Sequence, residues 1–200
     1  MADLKLRKST TALIAMDVQN LQVGALKQNN PERADMPDTL RTVIEAARKA
    51  EILVVHVVVR FREGYPEVNP RNLLIGRLTE TGLLRESGAD AQINSAIAPL
   101  PNEPIVVKRR VNAFFDTDLA TILRSRGVDT LLLTGISTSR VVLSTATYAF
   151  DADYSIVFVE DCCADPEGEL HKLLADKVLA QFGLVTDSGA VIAAMKNAAD

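Results

Sequence analysis

Residues 129–142 read DTLLLTGISTSRVV, and the order of their properties sets the architecture. The run at 129–134 is apolar on both of the faces that a strand presents, as a strand covered by helices on both sides of a parallel sheet must be. Gly135 interrupts it. Thr138 or Ser139 then offers a hydroxyl to cap a helix expected over 139–151. The unit is strand, tight turn and helix.

Working outward, similar short runs occur at 11–16 (TALIAM), 52–59 (ILVVHVVV), 104–107 (PIVV), 154–159 (YSIVFV) and 182–186 (FGLVT). Helical patterns lie between or after them at 38–50, 88–97, 116–126, 167–180 and 188–198. Asp38 supplies a start signal and Gly127 a stop signal for two of these helices. Strand and helix alternate, so the expected fold class is α/β: a doubly wound, mostly parallel six-stranded sheet with helices on both faces, a Rossmann-type three-layer sandwich. Two hundred residues suit one domain, 1–200. The segment 60–87, with several glycines, prolines and arginines, is too long for an ordinary connection and reads as a lid or binding loop.

Lys and Arg number 22 against 26 Asp and Glu, and no run of like charge occurs. That balance argues against nucleic acid and anionic membrane as partners and leaves a small molecule as the expected ligand. No signal peptide or membrane span is legible. Cys162 and Cys163 are adjacent, which suits neither a stapling disulfide nor a spaced zinc motif, so a reducing, cytoplasmic setting is expected. His56 lies inside an apolar strand and reads as a satisfied core residue, His171 as a surface or capping residue, and Asp161 as a cap for the turn after the fifth strand. No metal and no cofactor are expected.

In open parallel sheets ligands bind beyond the carboxyl ends of the strands, where the winding reverses. That rule selects Asp17 after the first strand, Arg60 after the second, Lys108 after the third, and residues 135–140 after the fourth. Asp17 alone could simply cap the Val18-Gln19-Asn20 turn, and Lys108 alone could be a solvated charge. Together, opposite charges on neighbouring strand ends would form a partly dry pair suited to proton transfer. The helix start after Gly135 could cradle an anion, or be an ordinary capped helix. Arg140, in its first turn, opposes the helix dipole; it either binds a substrate carboxylate or turns outward. Arg60 and Arg62 could meet an anion or be solvated.

Three stretches carry a resemblance to the isochorismatase-like hydrolases, a superfamily that includes cysteine amidohydrolases and isochorismatase itself. LIAMDVQN resembles the family's first-strand Asp-x-Gln-Asn, VKRRVNAFFDTDLATILRSRGVDTLLLTG its Lys-x-x-x-x-Ala-Phe region, and GISTSRVV its Gly-x-x-Thr-x-x-Cys-Val turn. The resemblance implies Asp17 as the proton-transfer carboxylate, Lys108 as its electrostatic partner, and Gln19 as a substrate-binding candidate beside Arg60 and Arg140. It implies a cis peptide between Ile136 and Ser137, with the amides of Ser137 and Val141 as an oxyanion hole. Val141 falls on the position of the family's nucleophilic cysteine, and an isopropyl group cannot attack a carbonyl.

Three functions follow as expectations. The first is a hydrolase that acts on a small anionic metabolite without a cysteine nucleophile, as the isochorismatase branch does when it cleaves a vinyl ether by protonation and water attack. The second is a catalytically inactive or regulatory binding homologue. The third is an amidohydrolase using Cys162, set against the plainer reading of Cys162 and Cys163 as small buried residues in a loop. The resemblance also implies a homodimer or homotetramer, with Tyr148 and Phe150 either at a subunit seam or in the core.

Overall fold

The computed structural model of the protein describes residues 4–200. Six strands, β1 (Thr11–Met16), β2 (Leu53–Val59), β3 (Ile105–Lys108), β4 (Thr130–Ile136), β5 (Ser155–Ala164) and β6 (Leu184–Thr186), form one parallel sheet in the order β3-β2-β1-β4-β5-β6. The order reverses between β1 and β4, which are adjacent in space although two strands intervene in sequence. The crevice at that reversal is where a parallel sheet holds its ligand.

The helices are α1 (Asn20–Asn29), α2 (Met36–Lys49), α3 (Leu78–Thr81), α4 (Leu119–Ser125), α5 (Leu143–Asp151), α6 (Gly168–Lys177) and α7 (Ser188–Lys196). Alternate residues of each central strand enter different cores, the pattern a pleated sheet imposes. Leu13, Ala15, Val54, Leu132 and Val157 pack with Leu26 of α1, Leu40 and Ile44 of α2 and Met195 of α7. Ala12, Ile14, Val55, Leu131 and Phe158 pack on the other face with Leu119 and Leu123 of α4 and Ala146 of α5. Two apolar layers on one sheet give the three-layer sandwich. No described helix is long and apolar enough to cross a membrane.

Gly135 marks the switch point. Its φ is +136°, and a Cβ there would lie 2.1 Å from the Met16 carbonyl oxygen, so only glycine lets β4 approach the end of β1 this closely. Gly127, at φ +64°, ends α4 as expected.

Three segments differ from the sequence expectation. Residues 88–97 form no α-helix. Their backbone bonds reach across the chain instead: Asn20 and Leu21 donate to the carbonyls of Gln92 and Asp90, both at 3.0 Å, and Asn94 donates to that of Val18 at 2.9 Å. Only Ser95–Ile97 makes a short 3-10 turn, capped by the Asn94 side chain. Conversely, Asn20 does not sit in a mere turn but opens α1, a helix the sequence reading lacked. The third difference is β5, which continues to Ala164: pairing jumps from Leu133↔Phe158 to Gly135↔Cys163. The irregularity absorbs Glu160 and Asp161, so the two cysteines stand in a strand rather than a loop. Smaller shifts occur at α2, which begins before Asp38, and at residues 138–142, which form a π-helical turn before α5.

Candidate active site

Met16 ends β1, and Asp17 turns out of the sheet with φ +54° while its amide donates to the Val57 carbonyl at 2.8 Å. The carboxylate thereby stays at the strand end, beside the last residue of β3. Lys108 Nζ lies 2.8 Å from Asp17 Oδ2, and the side chains are only 2% and 9% exposed. The ammonium also donates to the Arg110 carbonyl at 3.0 Å. Burial pushes the Asp17 carboxyl upward from its ordinary range, and the opposing pull of the Lys108 charge and hydrogen bond does not cancel it. Burial that favours the protonated form in this way suits a carboxyl to acid-base work.

The pair faces a cavity of ≈ 270 Å³ lined by residues of α1, the end of β2, the 60–87 loop, the segment after β3 and the turn after β4. Leu21, Val59, Ile75, Leu84, Val111 and Val141 supply an apolar wall; Asp17, Lys108, Arg110, Arg140, Gln22 and Ser137 supply the polar groups. Leu74, Ile75 and Leu84 come from the long loop, which thus does border the site as a binding loop would. Asp17 Oδ1, Ser137 Oγ and Gln22 Oε1 are buried without a hydrogen-bond partner. Buried polar atoms are rarely left so, and three on one cavity point to a polar ligand.

Charge in the cavity is unbalanced. Lys108 is paired with Asp17, while the Arg110 guanidinium is held by the carbonyls of Arg109 at 2.7 Å and Glu67 at 3.0 Å, neither of which neutralises it. Arg140 is exposed, lines the same cavity and has no carboxylate partner among the described residues. Two cations on a largely apolar wall favour an anion.

The expected cis peptide joins Ile136 and Ser137. Val141 is 1% exposed and borders the cavity. Asp17, Lys108, Ser137, Arg140 and Val141 therefore meet at one place. Other candidates do not. Gln19 is fully buried and spans two segments: its Oε1 accepts from the Val59 amide at 2.8 Å, and its Nε2 donates to the carbonyls of Val59 and Ala91. It ties β2 to the 88–94 strap and does not line the cavity. Arg60 is likewise directed at the Ala91 carbonyl (3.1 Å) and Gln92, and Arg62 pairs with Glu67 at 2.6 Å.

Cys162 is no substitute nucleophile. It is 0% exposed within the core that α2 and α7 cover, away from the cavity, and burial drives its thiol far above the ordinary range. The thiolate that attack requires is inaccessible. Cys163 points to the opposite core, with its thiol raised to about 12. Asp161 caps no turn after β5; it accepts from the amide and hydroxyl of Ser188 at the start of α7. His56 is a core residue as expected, with Nε2 3.1 Å from Glu103, but it is only half satisfied, since its Nδ1 is buried without a partner. His171 is not on the surface: it is 2% exposed and bonded to Thr138 and Glu160. Among the described residues no group of three His, Cys, Asp or Glu converges to hold a metal.

The sequence reading missed Arg110 and Gln22 on the cavity wall. The run Lys108-Arg109-Arg110 was a signal for the first, since the strand-end rule that selected Lys108 extends to its immediate successors. For Gln22 the missing helix α1 removed the means of placing it.

The isochorismatase domain family matches residues 11–190. The chain belongs to the isochorismatase family. Among its curated relatives, ureidoacrylate amidohydrolase RutB of Methylobacterium radiotolerans is 30% identical over 212 residues, covering 96% of this chain and 82% of the relative. Maleamate amidohydrolase of Pseudomonas putida is 27% identical over 141 residues; the match covers 70% of this chain and 65% of the relative's length. The crystal structure of a cysteine hydrolase from Pseudomonas syringae pv. phaseolicola has the same fold, with TM-score 0.85 at 24% identity over 98% of this chain and 99% of that one. An isochorismatase family protein from Desulfovibrio vulgaris superposes with TM-score 0.79 at 26% identity, covering 94% and 98%. This isochorismatase-family chain thus has the family's six-stranded parallel sheet, with the Asp17–Lys108 pair at its switch point.

Proposed function

We propose that the protein is a hydrolase of a small, carboxylate-bearing metabolite, in which Asp17 transfers the proton, Lys108 sets its charge, and no covalent intermediate forms on residue 141. The observation that carries this reading is the buried Asp17–Lys108 pair opening, at 2.8 Å separation, onto a cavity walled by Val141. Val141 stands where the family resemblance places a thiol, so water must be the nucleophile. Asp17 in its protonated form donates to the leaving or electron-rich atom of the substrate; water adds to the carbon left electron-poor, and its released proton restores the carboxyl. Arg110 and Arg140 hold the substrate carboxylate, and the amides of Ser137 and Val141 face a developing oxyanion. The relatives named above act on maleamate and ureidoacrylate, both short acids, which agrees in class with two unneutralised arginines.

The test is a panel of maleamate, ureidoacrylate and a carboxylated vinyl ether, followed by proton NMR, with the wild type and Asp17→Asn. Turnover of one panel member that falls at least about a hundredfold in Asp17→Asn, with an unchanged melting temperature, is the expected result. Equal rates in the two proteins would refute the role of Asp17. Val141 also favours a second reading, a binding protein without chemistry. In that case no panel member turns over, yet maleate raises the melting temperature of the wild type and fails to do so in Arg140→Ala.

A further inference from the structure

The turn that carries Ser137 and Val141 is a π-helical one, Thr138–Val142, closed by bonds from the amides of Arg140 and Val142 to the Ser137 carbonyl at 3.3 and 3.2 Å. Such wide turns are rare and occur mostly as single turns at functional sites. Side chains from the β5–α6 region hold this one from behind. The Thr138 hydroxyl, fully buried, lies 2.8 Å from His171 Nδ1, and His171 Nε2 lies 2.7 Å from Glu160 Oε1. Arg33 contacts the same Glu160 oxygen. One residue further, the Ser139 amide donates to Asp165 Oδ2 at 2.8 Å, and Asp165 is itself tied to Asn30 and to the Glu167 amide.

We infer that Thr138, His171 and Glu160 form a positioning relay that fixes the active-site turn from outside the cavity. None of the three lines that cavity, so each acts through the turn and not on substrate. The direction of the relay follows from donor chemistry. A carboxylate only accepts, so a ring hydrogen sits on Nε2 and is donated to Glu160. Where that is the ring's single hydrogen, Nδ1 accepts and the Thr138 hydroxyl donates to it. Glu160 is kept ionised for this purpose, its carboxyl held down to about 2 by the His171 hydrogen bond and by Arg33. The chain leaves the Thr138 hydroxyl one orientation and the turn one placement. Misplacement of a reacting group by about 1 Å costs on the order of a hundredfold in rate. Thr138 and His171 are therefore rate-determining positions without being catalytic ones, an inference that rests on reading this cavity as the reaction site.

The experiment compares Thr138→Val, which removes the hydroxyl at equal volume, with Thr138→Ser, which keeps it, and adds Glu160→Gln in case the valine variant does not fold. On whichever panel substrate turns over, kcat in Thr138→Val falls about tenfold to a hundredfold with KM within about twofold, and Thr138→Ser recovers to within about threefold of wild type. Two readouts need no substrate. Nitrogen-15 NMR of the wild-type imidazole shows the Nε2–H tautomer, and amide hydrogen exchange over residues 137–142 rises at least about tenfold in Thr138→Val and Glu160→Gln but not in Thr138→Ser, while β1 amides are unchanged. An Nδ1–H tautomer, equal exchange in valine and serine variants, or wild-type exchange in Glu160→Gln overturns the relay. If no panel member turns over, the proposed hydrolase fails while these two readouts still decide the relay.

Discussion

Lys108→Met is the perturbation whose consequence can be worked furthest from the structure. It keeps the length and most of the apolar contact of the lysine stem while removing the ammonium that lies 2.8 Å from Asp17 and the bond to the Arg110 carbonyl. Removing one partner of a buried ion pair costs about 3–5 kcal/mol when the other charge stays buried and ionised. Asp17 has an alternative, which is to take up a proton. Its folded-state pKa is already raised by burial, and the Lys108 charge is the influence that opposes the rise; without it the pKa climbs further. The sign follows from proton linkage. Between the unfolded and folded pKa values the folded state binds more protons, so stability falls as pH rises through that window, by up to about 1.4 kcal/mol per pH unit. Below the window both states are protonated and the carboxyl contributes nothing to the pH dependence. Urea denaturation at pH 5 and pH 8 should therefore show Lys108→Met destabilised far more at pH 8, where about 3–5 kcal/mol corresponds to a midpoint loss of roughly 2 M urea. The double variant Asp17→Leu with Lys108→Met should return to within about 1 kcal/mol of wild type, because no uncompensated charge remains. A loss in Lys108→Met that is the same at both pH values, or below about 1 kcal/mol at pH 8, refutes the buried-pair reasoning.

Three further outcomes follow from single contacts. Gln19→Leu removes the side-chain partner of the Val59 amide and carbonyl and leaves the Ala91 carbonyl with Arg60 alone, and urea denaturation should record a loss of about 2–4 kcal/mol, within the range for orphaned buried polar groups. Gly135→Ala would place a Cβ 2.1 Å from the Met16 carbonyl oxygen at φ +136°; the variant should be recovered unfolded or insoluble, and a soluble protein with a wild-type melting temperature would show that the β1–β4 approach is looser than described. Native Cys162 and Cys163 are buried with raised thiol pKa values, so iodoacetamide at pH 7.5 should label neither until urea unfolds the chain, whereas Val141→Cys should add one thiol that labels in the folded protein and is protected by maleate.

Strands were legible because each central run is buried on both faces, so that apolar side chains at 11–16, 53–59 and 130–136 had no polar alternation to confuse with helix. Helix α1 was not, for a physical reason: only Val23 and Leu26 of its ten residues are buried, and the remaining apolar ones, Leu21 and Ala25, line the cavity, Leu21 against the small cluster of the 60–87 loop and not the main core. A helix that lines a cavity loses the continuous apolar stripe by which helices are recognised. The opposite error at 88–97 arose because local pattern says nothing about where backbone donors find partners. Those of Asn20, Leu21 and Asn94 are satisfied across the chain, and the strap they build holds α1 over the site. In β5 the acidic pair Glu160-Asp161 reads as a strand end, yet each carboxylate meets a donor from elsewhere, His171 and Ser188, and the strand continues.

The site divides along the same line. Asp17, Lys108 and the turn at 135–140 could be placed from sequence because the topology fixes strand ends, and a strand end needs no knowledge of side-chain partners, whereas singling out Ser137 and Val141 rests on the family resemblance. Gln19 and Arg60 occupy equally favourable backbone positions but are consumed by carbonyls of the 88–94 strap, which no local reading could supply. His171 is the instructive case. Its polar side chain reads as a surface or capping residue, yet His171, Leu174 and Ala175 are the buried residues of α6 and stand at i, i+3 and i+4, the spacing of a core stripe. A titratable residue on the apolar stripe of a helix has to be met by polar partners or it could not be buried. The stripe was visible in GELHKLLADK; that its partners are a hydroxyl of the active-site turn and a carboxylate of β5 was not. Because the Thr138 hydroxyl is one of the two partners that let His171 be buried, the placement of the turn at 137–142 and the packing of α6 depend on each other.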